Sequence, residues 1–175
     1  MKRQASSTKA KRVALSAVLA ACSLVLLYLA SYLPSGKMGM AAAAGLFPAA
    51  AVVSCGFGAG FLCYVGTAIL GMLLVSDKAV ALLYLLFFGL YPMIKGFIER
   101  MNRLVPELIL KLLIFNGYAV ILFRVFGSLF MAMVPGKDLP SLVLLLLGNV
   151  VFLLYDYGFS KIITFYLLRI DRMMR

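Results

Sequence analysis

The sequence predicts an all-α integral membrane protein, with six transmembrane helices and both termini cytoplasmic. Three observations predict it. Hydrophobic residues make up 65% of the 175, charged residues only 13%, and mean hydropathy is +1.07. A soluble domain carries about twice that charged share, so this chain lacks the polar surface to face water and needs lipid as its solvent. The apolar residues gather into six runs separated by short breaks rich in turn formers, such as "LPSGKMG", "SDK" and "VPGKDLP". The basic residues stand at the ends of those runs and give a formal net charge of +11 without an aromatic-laced basic patch. That arrangement reads as a topology signal and as contact with anionic lipids, and it argues against nucleic acid.

Residues 1–12 form a basic cytoplasmic N-terminus, residues 13–168 a single six-helix domain, and residues 169–175 a basic cytoplasmic C-terminus. The first run is Val13–Leu33. Its "LAAC", ending at Cys22, has the shape of a lipoprotein cleavage box, but the apolar run continues through "SLVLLYLASYL". The segment is long enough to span, so it reads as an uncleaved first helix. Ala17 and Ala21 share one face of it, where another backbone can approach closely, and they are the expected partner interface.

The second run, Met40–Ser54, is short and holds Pro48 in its middle, so a re-entrant segment competes with a full crossing. Charge decides between them. Six crossings with the N-terminus inside put Lys2, Arg3, Lys9, Lys11 and Arg12 inside, then Lys95, Arg100, Arg103 and Lys111, then Lys161, Arg169, Arg172 and Arg175. Only Lys37, Lys78 and Lys137 fall outside. A second run that failed to cross would spread the cations almost evenly, so the positive-inside rule selects six. The third run, Phe57–Val75, begins beside Gly56 and Gly60 at GxxxG spacing. The fourth, fifth and sixth are Ala79–Ile98, Pro106–Val134 and Leu139–Leu168. All six are helical, because open hydrocarbon admits only helices or closed barrels and the two-residue alternation of barrel strands is missing.

The last two runs carry polar residues where they are expensive. An ionised side chain at the bilayer centre costs about 2.5–3.5 kcal/mol, and such groups usually turn inward and find a partner. Asn149, Asp156 and Ser160 share one face of the sixth helix. The fifth contributes Asn116 and Arg124, with Gly117, Arg124 and Ser128 close together around its axis. At a rise of ~1.5 Å per residue, Arg124 and Asn149 both lie ~15 Å from the outer end and Asp156 lies ~25 Å in. Arg124 and Asn149 are therefore expected to meet and to contact an anionic or amide-bearing ligand, with Tyr118 and Tyr155 as stacking surfaces. The competing reading makes Arg124 and Asp156 a structural ion pair. Asp156 itself is expected in such a pair near the inner face, with Lys161 or Lys111. Lys95, Glu99, Arg103, Glu107 and Lys111 read as interfacial, and Glu99–Arg103 and Glu107–Lys111 have the spacing and order of stabilising helical pairs.

Several functions are excluded. Histidine is absent, and Cys22, Cys55 and Cys63 form no CxxC pair, which removes metal sites, disulfide frameworks and histidine-dependent hydrolysis. No GxxxxGK[ST] occurs, so the chain has no P-loop for ATP. An enzyme is not expected, nor is a cofactor.

The length, the six-span layout, the Ala17-x-x-x-Ala21 spacing and the "LPSGKMG" connection after the first helix resemble the substrate-binding S component of energy-coupling factor (ECF) transporters. The resemblance implies a multi-pass protein of the bacterial cytoplasmic membrane that binds a micronutrient in an outward-facing cavity. It implies a transmembrane coupling subunit, contacted through the Ala17–Ala21 face, and ATPases acting in trans. It places solute contacts on the outer halves of the later helices, where Arg124 and Asn149 lie. The alternative is a scaffold subunit resembling the MreD-like protein of the cell-elongation machinery, which would dock partners through the same small faces and bind no solute. A cavity lined by Arg124 and Asn149 would favour transport; their pairing to each other or to Asp156 would favour the scaffold.

Overall fold

The computed structural model of the chain describes residues 2–99, 103–131 and 140–174. Arg100, Lys137 and Arg175 of the charge count lie outside the described residues, and so does the side chain of Ser128. The elements are α1 (Lys2–Tyr32), α2 (Lys37–Ala44), α3 (Leu46–Cys55), α4 (Phe57–Leu74), α5 (Lys78–Leu83), a π-helical turn (Tyr84–Phe88), α6 (Tyr91–Ile98), α7 (Leu104–Met131) and α8 (Ser141–Met174). They make six stretches long and apolar enough to cross a bilayer: Ala10–Tyr32, Lys37–Cys55, Phe57–Leu74, Lys78–Ile98, Val105–Gly127 and Leu142–Leu168. The protein is therefore an all-α, multi-pass membrane protein. It divides into two compact units, Met1–Met93 and Ile94–Arg175, with the boundary inside the fourth stretch.

In the first unit α1 packs against α2, α3 and α4. Its buried face is Ser23, Leu27 and Ala30. The core around it is built from small side chains, Ala41, Ala44, Ala51 and Ala81 among them. Small residues let helix backbones approach closely, which is how membrane helices gain packing energy when lipid tails are as apolar as leucine. At Gly60 a side chain would strike Val52 and the Pro48 carbonyl, and at Gly45 it would strike the Phe88 carbonyl.

The second stretch is long and apolar enough to cross despite Pro48, and the reason is local. The helix breaks between α2 and α3 at Gly45, so Pro48 sits in the first turn of α3, where proline is tolerated. Proline has no N–H, so the Ala44 carbonyl loses its helical donor. The Ser23 hydroxyl of α1 donates to that carbonyl instead, at 2.9 Å. The fourth stretch shows the same device. Its π-turn closes with Gly89 N–H donating to the Tyr84 carbonyl at 2.8 Å, and the Tyr64 hydroxyl of α4 donates to the Leu85 carbonyl at 2.7 Å. Backbone groups freed from a helix in lipid must be satisfied by neighbours, and here two hydroxyls do it. Tyr84 is itself fully buried, its hydroxyl 3.2 Å from Ser23 Oγ.

One end of this unit is tied by charge. Asp77 caps α5 by accepting from the Ala79 N–H at 3.1 Å, and Lys37 at the start of α2 bridges to it at 2.6 Å. Lys78 donates to the Met72 and Val75 carbonyls at the end of α4. The turn before α2 is made at Gly36, whose φ of 81° is cheap only for glycine.

Candidate functional site

The second unit holds the polar residues that the sequence singles out. Its long elements are α7 and α8, which pack together. Three side-chain pairs fix their register. Lys111 reaches Asp156, Phe115 stacks on Phe152 with ring centroids 4.5 Å apart, and Asn116 meets Asn149. In each pair the α8 number falls as the α7 number rises, so the two helices are antiparallel.

At one end of this pair lies a charged cluster. Lys95 of α6 and Lys111 of α7 are each 4% exposed. Asp156 bridges them: Oδ1 accepts from Lys95 and Oδ2 from Lys111, the latter at 2.9 Å. Glu99 Oε1 also accepts from both, at 2.8 Å from Lys95 and 3.2 Å from Lys111. Glu107 takes Lys111 at 2.8 Å, and the Asp156 carbonyl accepts from Lys95 at 3.3 Å. Each ammonium thus has three acceptors for its three donors. A buried charge is tolerable only with such complete pairing, and the cluster ties α6, α7 and α8 to one another. The Glu107–Lys111 spacing of the sequence is realised. Among the described residues no ion pair joins Glu99 to Arg103, because Glu99 turns to the two lysines instead.

Lys161 is not a partner of Asp156. Five residues along a helix is about 140° of rotation, so Lys161 leaves the Asp156 face. It is exposed, with its ammonium 5.4 Å from the centre of the Tyr157 ring. Nor does Arg124 pair with Asp156. Lys95 is the partner that sequence reasoning missed. It stands inside "YPMIKGFIER", which reads as the end of a span, although Glu99 lies one helical turn away and signals a charged face.

One step along the pair, the Asn116 and Asn149 amides bond reciprocally at 2.9 and 3.1 Å, and each also donates to the carbonyl one turn back in its own helix. Asn149 is therefore engaged with Asn116, and the structure does not bring it to Arg124. The expected meeting assumed that α7 and α8 run equally far from their connection. The observed register is shifted: residue 126 of α7 comes level with Pro140, just before α8 begins. There α7 departs from helical geometry, at Phe126 (φ −123°, ψ 27°). Arg124 lies level with the first turn of α8 and is exposed among exposed Ile121, Phe123 and Val125. No hydrogen bond or ion pair links it to another described residue. Tyr118 is half-buried. Tyr155 is half-buried too and meets Phe159 edge-on at 5.6 Å.

Ala17 and Ala21 are exposed along α1, away from the face that carries Ser23, Leu27 and Ala30. Among the described residues no cluster of side chains could hold a metal ion. Comparison of the chain with protein-family models, characterised proteins and solved structures returns no match.

Proposed function

We propose that the chain is a non-enzymatic membrane subunit that acts by docking partner proteins within the bilayer, in the manner of an ECF S component. In that role it sits in a bacterial cytoplasmic membrane with both termini inside. It binds a small solute and is energised in trans by a transmembrane coupling subunit and ATPases. The observation that carries the docking reading is the exposed Ala17–Ala21 face on α1, the helix whose other face organises the first unit. A smooth face of small residues gives lipid little to grip and gives a second helix close backbone approach. Ala17→Leu with Ala21→Leu should leave the protein inserted and monodisperse in detergent. The larger complex recovered from its native membrane should fall roughly tenfold or more, because about 1.4 kcal/mol of lost packing is enough for that. A complex that survives both changes removes this face from the interface.

The scaffold reading, of the MreD-like kind, is favoured by the reciprocal Asn116–Asn149 bonds, which close two polar groups on each other. Mass spectrometry of small molecules co-purifying with the protein separates the two. A bound solute that is lost in Arg124→Ala and Asn149→Ala supports transport, with Tyr118 and Tyr155 as further contacts. An empty protein that still assembles through α1 supports the scaffold.

A further inference from the structure

Arg124 stands apart from the polar pairs that join α6, α7 and α8. It is a permanent cation on the exposed face of α7, flanked by Ile121, Phe123 and Val125, which are also exposed. The carboxylates of this unit whose side chains are described, Glu99, Glu107 and Asp156, are all held by Lys95 and Lys111. Thirteen residues separate Lys111 from Arg124, so that cluster lies ~20 Å away along the helix. Depth gives the answer. From Arg103, exposed just ahead of α7, to Arg124 is ~30 Å of helix, the thickness of a bilayer's hydrocarbon core. The level of Arg124 is also that of the first turn of α8, whose apolar stretch begins at Leu142. Both measures put Arg124 at the membrane boundary farther from the charged cluster, in the plane where lipid phosphates lie. A guanidinium offers a rigid fork of donors that matches two oxygens of one phosphate, and near lipid that pairing is strong.

We infer that Arg124 is a phosphate-binding residue, gripping a phosphate group at the end of the α7–α8 pair remote from the Asp156 cluster. The group comes either from a lipid headgroup or from a soluble phosphoester. The assignment does not rest on the docking reading, and its test reads lipid contact rather than assembly.

The test uses the full chain in nanodiscs containing phosphatidylglycerol with a photoreactive group at the headgroup. Crosslinked peptides are mapped by mass spectrometry. The wild type should crosslink within residues 117–127 and also in the basic N-terminal segment. Arg124→Gln should lose the first crosslink to background and keep the second, which controls for folding and insertion. Arg124→Lys should retain part of the first, since the charge remains without the fork. Inorganic phosphate in excess distinguishes the sources: loss of the 117–127 crosslink assigns a soluble phosphoester, and persistence assigns the lipid. A 117–127 crosslink that is unchanged in Arg124→Gln overturns the inference, and so does its absence in the wild type when inorganic phosphate also fails to raise the thermal stability of the wild type above that of Arg124→Gln.

Discussion

Asp156 shows how one residue can fix the architecture of its surroundings. It lies in a run that leucine and valine carry into the membrane regardless, so its retention has to be explained by what it touches. It touches Lys95 on α6 and Lys111 on α7, each through a different oxygen. Asp156→Asn leaves two buried ammonium groups with one fewer charged acceptor each, and breaking such a buried pair costs about 3–5 kcal/mol. The expected outcome is a large loss of resistance to thermal denaturation in detergent, on that scale. Replacing Lys95 and Lys111 by Met and Glu99 and Glu107 by Gln together with Asp156→Asn should recover part of it, because no bare charge is then left. A single variant as stable as the wild type would show that the bridge contributes nothing. Sequence reasoning found the aspartate and one true partner, Lys111, but also offered Lys161. Helical rotation rules Lys161 out. Lys95 was missed because a lysine near the end of an apolar run looks interfacial, and only tertiary packing turns it inward.

At the scale of elements, the joints are as informative as the helices. The turn between α4 and α5 is held by Asp77, whose burial alone would push its carboxyl up. The Lys37 ammonium at 2.6 Å, with the Ala79 and Val80 N–H groups, outweighs burial and holds it below the ordinary carboxylate range. A carboxyl lowered in the folded state binds fewer protons there than in the unfolded chain. Its contribution is therefore present above the unfolded pKa and fades as pH falls through the lowered one. Wild type should lose thermal stability more than Asp77→Asn as pH is taken from neutral to below that range, and the two curves should converge at the acid end. Parallel curves would deny the pair any share in stability. The six apolar runs were legible because their length and the turn chemistry between them are local properties. The break at Gly45 was not, although Pro48 announced a defect. How the defect is repaired depends on Ser23, which lies 21 residues from Ala44 and is brought to it only by packing. The Arg124–Asn149 meeting failed for a related reason. Counting from a connection assumes that both helices end together, and α7 overshoots the start of α8 before it breaks at Phe126.

For the whole molecule, the number of crossings is the property on which sidedness, partner access and solute access all depend. Among the described residues six stretches have sufficient length and hydropathy, including Lys37–Cys55, the one that charge counting had to rescue. An even number returns the chain to the side on which it began. The distribution of Lys and Arg then sets which side that is, because cations near helix ends resist translocation. With Cys22, Cys55 and Cys63 replaced by Ala, single cysteines placed at residues 6 and 172, both beyond the crossing stretches, should resist a membrane-impermeant maleimide in intact cells and react after permeabilisation. A cysteine at Ser35 or Ser76 should react without permeabilisation, since each lies in a break at the opposite end of the spans. Labelling of residues 6 and 172 from opposite sides would mean an odd number of crossings, and the stretch that failed to cross would be Lys37–Cys55. In that case the Ser23 donor to the Ala44 carbonyl would serve a re-entrant hairpin, and the Ala17–Ala21 face would still be available within the same bilayer. Sidedness and docking can therefore be refuted separately, and a result against one leaves the other to be tested by its own variants.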